Sequence, residues 1–142
     1  MKLSDHFTLE ELLHSDEAIK NGILNVAGEK EFNNLRLLVS NILEPARKIL
    51  DAPIFVNSGY RSPRVNSLPS VGGSKTSYHL KGMAADITTR SAKRDKELLE
   101  ILKKLPYTEL IAYRRKQTGN IMWIHVAFNP YANSRTSYSV YK

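Results

Sequence analysis

The feature that most limits the fold is a stripe of apolar residues within residues 30–50. Apolar side chains recur there every three or four residues, which is the spacing of one face of an α-helix. Because such a stripe has to be buried against another element, the segment predicts a long helix packed on a core. Pro45 lies inside the run and is expected to kink the helix. The stripe consists of Phe32, Leu35, Leu38, Val39, Ile42, Leu43, Ala46, Ile49 and Leu50.

Short apolar segments between polar turns predict the strands of a sheet. Thr8 and Glu11 have the spacing of a capping box and predict a short helix near residues 4–13. Apolar spacing predicts another helix over residues 91–104. This order of elements predicts an α+β fold, with an antiparallel β-sheet and helices packed on it. The strands are predicted at residues 53–57, 83–89, 109–115 and 121–128, the last two joined by a turn at residues 119–120.

A chain of 142 residues has the size of one domain and is long enough to bury a core. We expect a single domain over residues 1–142, with its core in about residues 1–128 and a polar tail over residues 129–142. No segment approaches the ~18 apolar residues of a membrane span. The first residues lack the apolar run of a signal peptide. We therefore expect a protein that is cytoplasmic as synthesised and that meets an extracellular target only after release. We also expect the protein to be a monomer.

The formal net charge of +7 favours polyanionic partners through long-range attraction. An anionic bacterial cell wall and a nucleic acid are both partners of this kind, and charge alone does not choose between them. The sequence contains no recognisable DNA-reading helix and no aromatic RNA-binding motif, so a nucleic-acid partner is disfavoured.

The polar segment of residues 58–82 is long for a loop in a compact domain, and such loops are usually functional. The chain has no cysteine and four histidines, so a metal site has to use His, Asp or Glu. His79 ends the loop, Asp86 lies in the next predicted strand, and Gly82 permits a sharp turn between them. His125 lies in the last predicted strand. Two imidazoles and one carboxylate suit a catalytic zinc ion, although the same residues could serve as core or capping residues.

Three ordered motifs resemble those of the zinc D-Ala-D-Ala carboxypeptidase and endopeptidase family, which has the Hedgehog/DD-peptidase fold. Several motifs that match in order are far more specific than any one of them. The resemblance covers residues 1 to about 128, and the N-terminal part is similar to phage and prophage peptidoglycan lysins of this family. The motifs are Ser-Gly-Tyr-Arg-Ser (58–62), Ser-Tyr-His-Leu-Lys-Gly-Met-Ala-Ala-Asp (77–86) and Trp-Ile-His-Val (123–126), with Asn66 and Val-Gly-Gly (71–73) between the first two.

The resemblance implies that His79, Asp86 and His125 are the ligands of one Zn²⁺ ion. It also implies that Arg61 holds a substrate carboxylate or polarises the substrate carbonyl. Arginine suits this role because its planar guanidinium stays charged and can donate two parallel hydrogen bonds to a pair of oxygens. Ser77 is expected to hydrogen-bond the substrate or to orient the site, and a purely structural cap is the other reading of this residue.

The implied activity is that of a zinc metallopeptidase which hydrolyses peptide bonds of peptidoglycan stem peptides, as a carboxypeptidase or endopeptidase. Trp123 belongs to the expected substrate-binding residues. A phage or prophage endolysin is the expected setting. The alternative is a zinc-containing peptidoglycan-binding module whose catalysis is impaired.

The position of the general base departs from the family. Many members place Asp or Glu three residues before the last histidine, where this chain has Met122. Phage-type relatives often carry a Glu in the preceding strand, at the place of Tyr113. A tyrosine is a poor base near neutral pH because its pKa is about 10. Tyr113 could still donate a hydrogen bond to an oxyanion.

The predicted strand register offers a substitute base. If Arg115 pairs with Ile121 across the turn, Ile111 faces His125, and Glu109 becomes a diagonal neighbour of His125 on the same face. Glu109 is therefore the predicted general base. A register change of one residue would instead turn Glu109 to the other face of the sheet.

Overall fold

A five-stranded sheet lies at the centre of the computed structural model, which describes residues 1–142. The strands are β1 (Phe55–Ser58), β2 (Ala84–Thr88), β3 (Glu109–Arg114), β4 (Ile121–Ala127) and β5 (Thr136–Tyr141). They are arranged in the order β1-β2-β4-β3-β5. The first four strands pair antiparallel, whereas β5 pairs parallel to β3 at the edge of the sheet. The α+β prediction is confirmed, and the sheet is mixed because of β5.

The strand β5 lies in the segment that the sequence predicted as a polar tail. Its residues are almost all exposed, so the segment lacks the apolar alternation of a half-buried strand. Backbone pairing with β3, rather than burial of side chains, fixes its position. Thr, Tyr and Val, which are common in strands, make up much of it.

The helices of the chain are α1 (Leu9–Leu13), α2 (Asp16–Lys20), α3 (Glu29–Leu38), α4 (Glu44–Leu50), α5 (Pro63–Asn66) and α6 (Ala92–Lys103). The long helix predicted over residues 30–50 is formed by α3 and α4, which a π-helical turn at Val39–Leu43 joins without a gap. Pro45 lacks an N–H and crowds the preceding turn, and the wider π turn just before it accommodates both defects. The capping box of α1 is confirmed, since Thr8 accepts from Glu11 N at 3.2 Å and Glu11 accepts from Thr8 N at 2.8 Å.

Most of the apolar stripe of the long helix is buried against one face of the sheet, whereas Ile49 near its end is exposed. Leu35, Leu38 and Ile42 belong to the same buried cluster as Ile87 of β2 and Ile124 of β4. Burying a side chain of this size typically contributes about 1.5–3 kcal/mol, so this layer holds the helix on the sheet. The opposite face of β2, β3 and β4 is left for polar residues. No helix is long and apolar enough to cross a membrane.

The register between β3 and β4 matches the prediction at its functional end, where Ile111 pairs with His125. It differs near the turn, where Ile121 pairs with Arg114 and not with Arg115. An irregularity between Tyr113 and Arg114 causes the difference. A bulge of one residue reverses the side-chain alternation beyond it, and Ile121 accordingly joins the core cluster.

Candidate metal centre

Three potential metal ligands converge on the polar face of the sheet. His79 lies in a 3₁₀ turn (Tyr78–Lys81), and Asp86 and His125 are paired directly across β2 and β4. Their ligand atoms all lie within 4.8 Å of one another. Asp86 Oδ1 is 3.3 Å from His79 Nε2 and 3.1 Å from His125 Nδ1. One carboxylate oxygen therefore lies between two imidazole nitrogens that come from separate elements.

Gly82 carries the chain from His79 into β2. It has a φ of +70°, in the left-handed region that glycine favours. A Cβ at this position would lie 2.4 Å from the carbonyl oxygen of Glu31 in α3. Both the turn and the close approach of α3 therefore require glycine, and together they set the distance between His79 and Asp86.

A hydrogen bond on the side of the ring remote from Asp86 holds the imidazole of His79. Its Nδ1 lies 2.7 Å from the carbonyl oxygen of Gly59, which can only accept a hydrogen bond. Nδ1 therefore carries a proton, and Nε2 is the ring nitrogen directed toward Asp86. The ring is only 2% exposed, so burial as well as this bond holds its orientation.

The charges of the site stabilise one another. Burial raises the pKa of Asp86, but His79 and His125 outweigh it and hold that pKa well below its usual range. Burial lowers the pKa of His125, but hydrogen bonds to Asp86 and Glu109 outweigh it and raise the pKa to about 9. Asp86 is thus an ionised carboxylate at neutral pH. A metal ion that displaces the proton of His125 would meet two imidazoles and an ionised carboxylate, a donor set that fits zinc with an open fourth position.

The predicted ligands and the predicted catalytic and substrate-binding residues all line one cleft of about 450 Å³. Its floor is formed by the three potential ligands, and the predicted catalytic and substrate-binding residues surround them. These surrounding residues are Arg61, Ser77, Glu109, Tyr113 and Trp123.

Arg61 follows β1 and points a mostly buried guanidinium into the cleft. It forms no ion pair, and its buried Nε has no hydrogen-bond partner. Burial lowers the pKa of Arg61, while Asp86 opposes that shift. A desolvated guanidinium with an unmet donor is ready to bind an oxygen acceptor of a ligand. Its backbone N also donates to His79 O at 3.1 Å, which ties this residue to the turn that carries His79.

Ser77 begins the turn that carries His79. Its Oγ accepts a hydrogen bond from His79 N at 3.2 Å, so this hydroxyl acts as a cap in the structure. Ser77 also lines the cleft, together with Arg61.

Tyr113 and Trp123 form one wall of the cleft. Their rings are stacked, with centroids 4.6 Å apart and planes 15° from parallel. Lys142 lies over this pair, with Nζ 5.3 Å from the Tyr113 ring and 5.6 Å from the Trp123 ring. Lys142 could not be identified from the sequence, because its position depends on the parallel pairing of β5. The alternating Thr, Tyr and Val of residues 136–141 were the available signal for that strand.

Glu109 reaches the centre from the side of β3. Its Oε1 lies 2.9 Å from His125 Nε2, the ring nitrogen that faces away from Asp86. The register predicted this proximity. The assignment of Glu109 as the general base stays a prediction.

Comparison with known proteins agrees with the motifs and the geometry. The family model of peptidase M15 matches residues 5–127, which is most of the chain and includes all three potential ligands. The match ends before β5, so Lys142 lies outside it. No match to a curated protein was found. Since the matched range covers most of the chain and includes the three potential ligands, the chain belongs to the peptidase M15 family of zinc metallopeptidases.

Proposed function

We propose that this protein is a zinc-dependent peptidase that hydrolyses peptide bonds in the stem or cross-link peptides of bacterial peptidoglycan. The observation that carries the proposal is an unpaired, mostly buried Arg61 beside three converging ligand atoms. Zinc at His79, Asp86 and His125 would supply a polarised scissile carbonyl and a water of lowered pKa. The protein's own residues then bind and orient the peptide.

Arg61 is the proposed anchor for the substrate. Stem peptides end in a free carboxylate and contain side-chain carboxyl groups, and a guanidinium bonds a carboxylate through two parallel N–H groups. Neither carboxylate of the cleft pairs with Arg61, because Asp86 contacts two histidines and Glu109 is bonded to His125. Arg61 would therefore hold a carboxylate or a carbonyl oxygen of the peptide.

Tyr113 is the proposed hydrogen-bond donor to the oxygen that becomes negative during hydrolysis. Burial raises the pKa of Tyr113, and the nearby Asp86 raises it further. The phenol is therefore protonated at neutral pH and serves as a donor. The flat stacked pair of Tyr113 and Trp123 would support the peptide next to the metal.

The net charge of +7 supports a second part of the proposal, adhesion to the anionic wall. Wall binding should weaken as the salt concentration rises, because the Debye length shrinks from ~30 Å at 0.01 M to ~8 Å at physiological ionic strength. Wall binding that ignored salt over this range would contradict an electrostatic attachment. Action on the wall after release by a phage or prophage fits this attachment.

The test is digestion of purified peptidoglycan with the zinc-loaded protein, followed by mass spectrometry of the released fragments. The new amino and carboxyl termini identify the bond that is cut. Asp86→Asn is the matched control, since it keeps the size of the side chain and removes the charged ligand.

One observation favours a second candidate, a zinc-containing module that binds peptidoglycan without cutting it. Met122 occupies the place where many family members carry the general base. Wall binding by the zinc-loaded parent with no cleaved bond would establish this candidate in place of the peptidase.

A further inference from the structure

Glu109 contacts the metal centre from behind one of its ligands. Its Oε1 is 2.9 Å from His125 Nε2, while His125 Nδ1 is directed at Asp86 Oδ1, 3.1 Å away. The two nitrogens of an imidazole lie on opposite edges of the ring. A carboxylate bonded to Nε2 is therefore separated by the ring from the point at which Nδ1 and the other ligands converge.

We infer that Glu109 is a positioning residue that holds His125 in the orientation and tautomer needed for metal binding. Its carboxylate accepts a hydrogen bond from His125 Nε2–H, which leaves the Nδ1 lone pair free to bind a metal ion. Partners of this kind typically raise metal affinity 10- to 100-fold through the ligand that they orient. The inference rests on the proposed zinc site and differs from the general-base role predicted from the sequence.

The two ligand histidines are held in the same way, which supports this inference. His79 donates from Nδ1 to the Gly59 carbonyl and presents Nε2, whereas His125 bonds Glu109 through Nε2 and presents Nδ1. In each ring, the nitrogen remote from Asp86 meets an oxygen. Replacing Glu109 would leave His125 with one restraint fewer than His79.

The strand register makes the contact with Glu109 specific. Ile111 lies opposite His125, and Glu109 lies two residues further along β3 on the same face. A side chain at this diagonal position reaches the remote edge of the ring, as the 2.9 Å contact shows. A general base acts directly when it lies within about 2.6–3.2 Å, between heavy atoms, of the group whose proton it removes, or it acts through one water. In this arrangement the imidazole ring stands between the Glu109 carboxylate and that position.

Two variants separate positioning from proton transfer. Glu109→Gln keeps an oxygen that accepts from Nε2–H but cannot serve as a base near neutral pH. Glu109→Met keeps the length of the side chain and removes both functions. Glu100→Met is the matched control, because Glu100 is an exposed carboxylate of α6 that pairs only with Lys103.

The main readout is zinc affinity measured by chelator competition, with the visible spectrum of the Co²⁺-substituted protein as a second one. We expect Glu109→Gln to bind zinc within about threefold of the parent and Glu109→Met to bind roughly 10- to 100-fold more weakly. The Co²⁺ spectrum should change in Glu109→Met and stay the same in Glu109→Gln. The Glu100→Met control should match the parent in both measurements.

Two results would overturn the inference. One is an unchanged zinc affinity in Glu109→Met. The other is a Glu109→Gln protein that binds zinc normally and loses peptide hydrolysis by ~10²-fold or more, which is the signature of a general base. Because affinity is measured without substrate, a parent that binds zinc but cuts no peptide would refute the peptidase proposal and leave this inference open to the same affinity test.

Discussion

Each of the four histidines contacts a carboxylate, but only His79 and His125 share one. The cluster of Ser4, His6 and Glu44, here called the N-terminal clamp, is the closest match to the metal centre in chemistry. There the Glu44 carboxylate accepts from Ser4 Oγ at 2.5 Å, from His6 N at 2.8 Å and from His6 Nδ1 at 2.7 Å. All its partners come from one short segment, so the clamp ties that segment to α4.

The metal centre differs from the clamp in two respects. Its carboxylate contacts imidazoles from two elements that are far apart in sequence, and both imidazoles have their remote nitrogen bonded to an oxygen. In the clamp, no second imidazole competes for Glu44. The comparison teaches that a carboxylate next to a histidine is not by itself a metal site. Convergence of several fixed lone pairs on one point is what marks Asp86, His79 and His125.

The largest expected effect is loss of zinc from the shared carboxylate. Asp86→Asn and His79→Ala should reduce zinc from one ion per chain to nearly none, because each removes one of only three ligands. His6→Ala and His14→Ala should retain the full amount, since these histidines belong to separate pairs. Metal analysis after dialysis measures the difference. Equal zinc in His79→Ala and the parent would show that the ligand assignment is wrong.

The next effect concerns Arg61, which has no counterpart in the clamp. We expect Arg61→Lys to lower turnover on peptidoglycan peptides by roughly 10²-fold, because lysine keeps the charge but loses the planar fork that fixes the substrate. Zinc content and the melting temperature should stay close to those of the parent, since Arg61 forms no ion pair in the structure. Full turnover in this variant would refute the anchoring role.

A smaller effect is expected when the clamp is broken. Glu44→Gln should lower the free energy of unfolding by about 1–3 kcal/mol, because it weakens hydrogen bonds to a buried carboxylate. Zinc content should stay unchanged, which separates the clamp from the metal centre. Chemical denaturation at pH 7 of both proteins, each loaded with zinc, measures the difference. A variant as stable as the parent would show that the clamp contributes nothing.

The difference in the free energy of unfolding between the parent and Glu44→Gln should depend on pH. Burial raises the pKa of Glu44, but hydrogen bonds from Ser4 and His6 outweigh it and lower that pKa below 4.5. A lowered folded pKa means that the ionised carboxylate stabilises the fold above pH 4.5 and that this contribution is lost as the pH falls through the folded pKa. The parent and Glu44→Gln should therefore differ most at neutral pH and converge in acid.

The clustering of His79, Asp86 and His125 and the approach of Glu109 to His125 could be anticipated from the sequence. The family resemblance of the ordered motifs indicated the cluster, and alternation along β3 and β4 indicated the shared face. The burial of Ile121 in the core could not be predicted from the sequence, because a bulge near the turn moves its side chain to the other face of the sheet. A periodic pattern assumes a regular strand, and one inserted residue is enough to defeat it.

The strand β5 and the position of Lys142 in the cleft also could not be predicted from the sequence. An edge strand that is exposed on both faces has no burial pattern to reveal it. Its parallel pairing with β3 follows a connection that starts and ends at the same end of the sheet and passes across β3, so it depends on residues far apart in sequence. The sequence could not predict that Glu109 contacts the Nε2 nitrogen of His125. A strand register predicts that two side chains lie close together, but it does not predict which nitrogen of the imidazole ring is contacted.

The smallest expected effect tests whether Lys142 belongs to the functional cleft. Its Nζ lies 5.3 Å and 5.6 Å from the stacked rings of Tyr113 and Trp123. An exposed ion pair between this cation and a carboxylate of a bound peptide contributes about 0.2–1 kcal/mol, which corresponds to a change in binding of up to about fivefold. Lys142→Gln should therefore raise the KM for an anionic stem peptide by that factor and leave kcat unchanged. Steady-state kinetics at low and physiological salt measure both constants, with Lys104→Gln on the surface after α6 as the charge-matched control. An equal change in both variants would assign the effect to net charge alone, whereas a fall in kcat in Lys142→Gln only would place this lysine among the residues that act on the reacting bond.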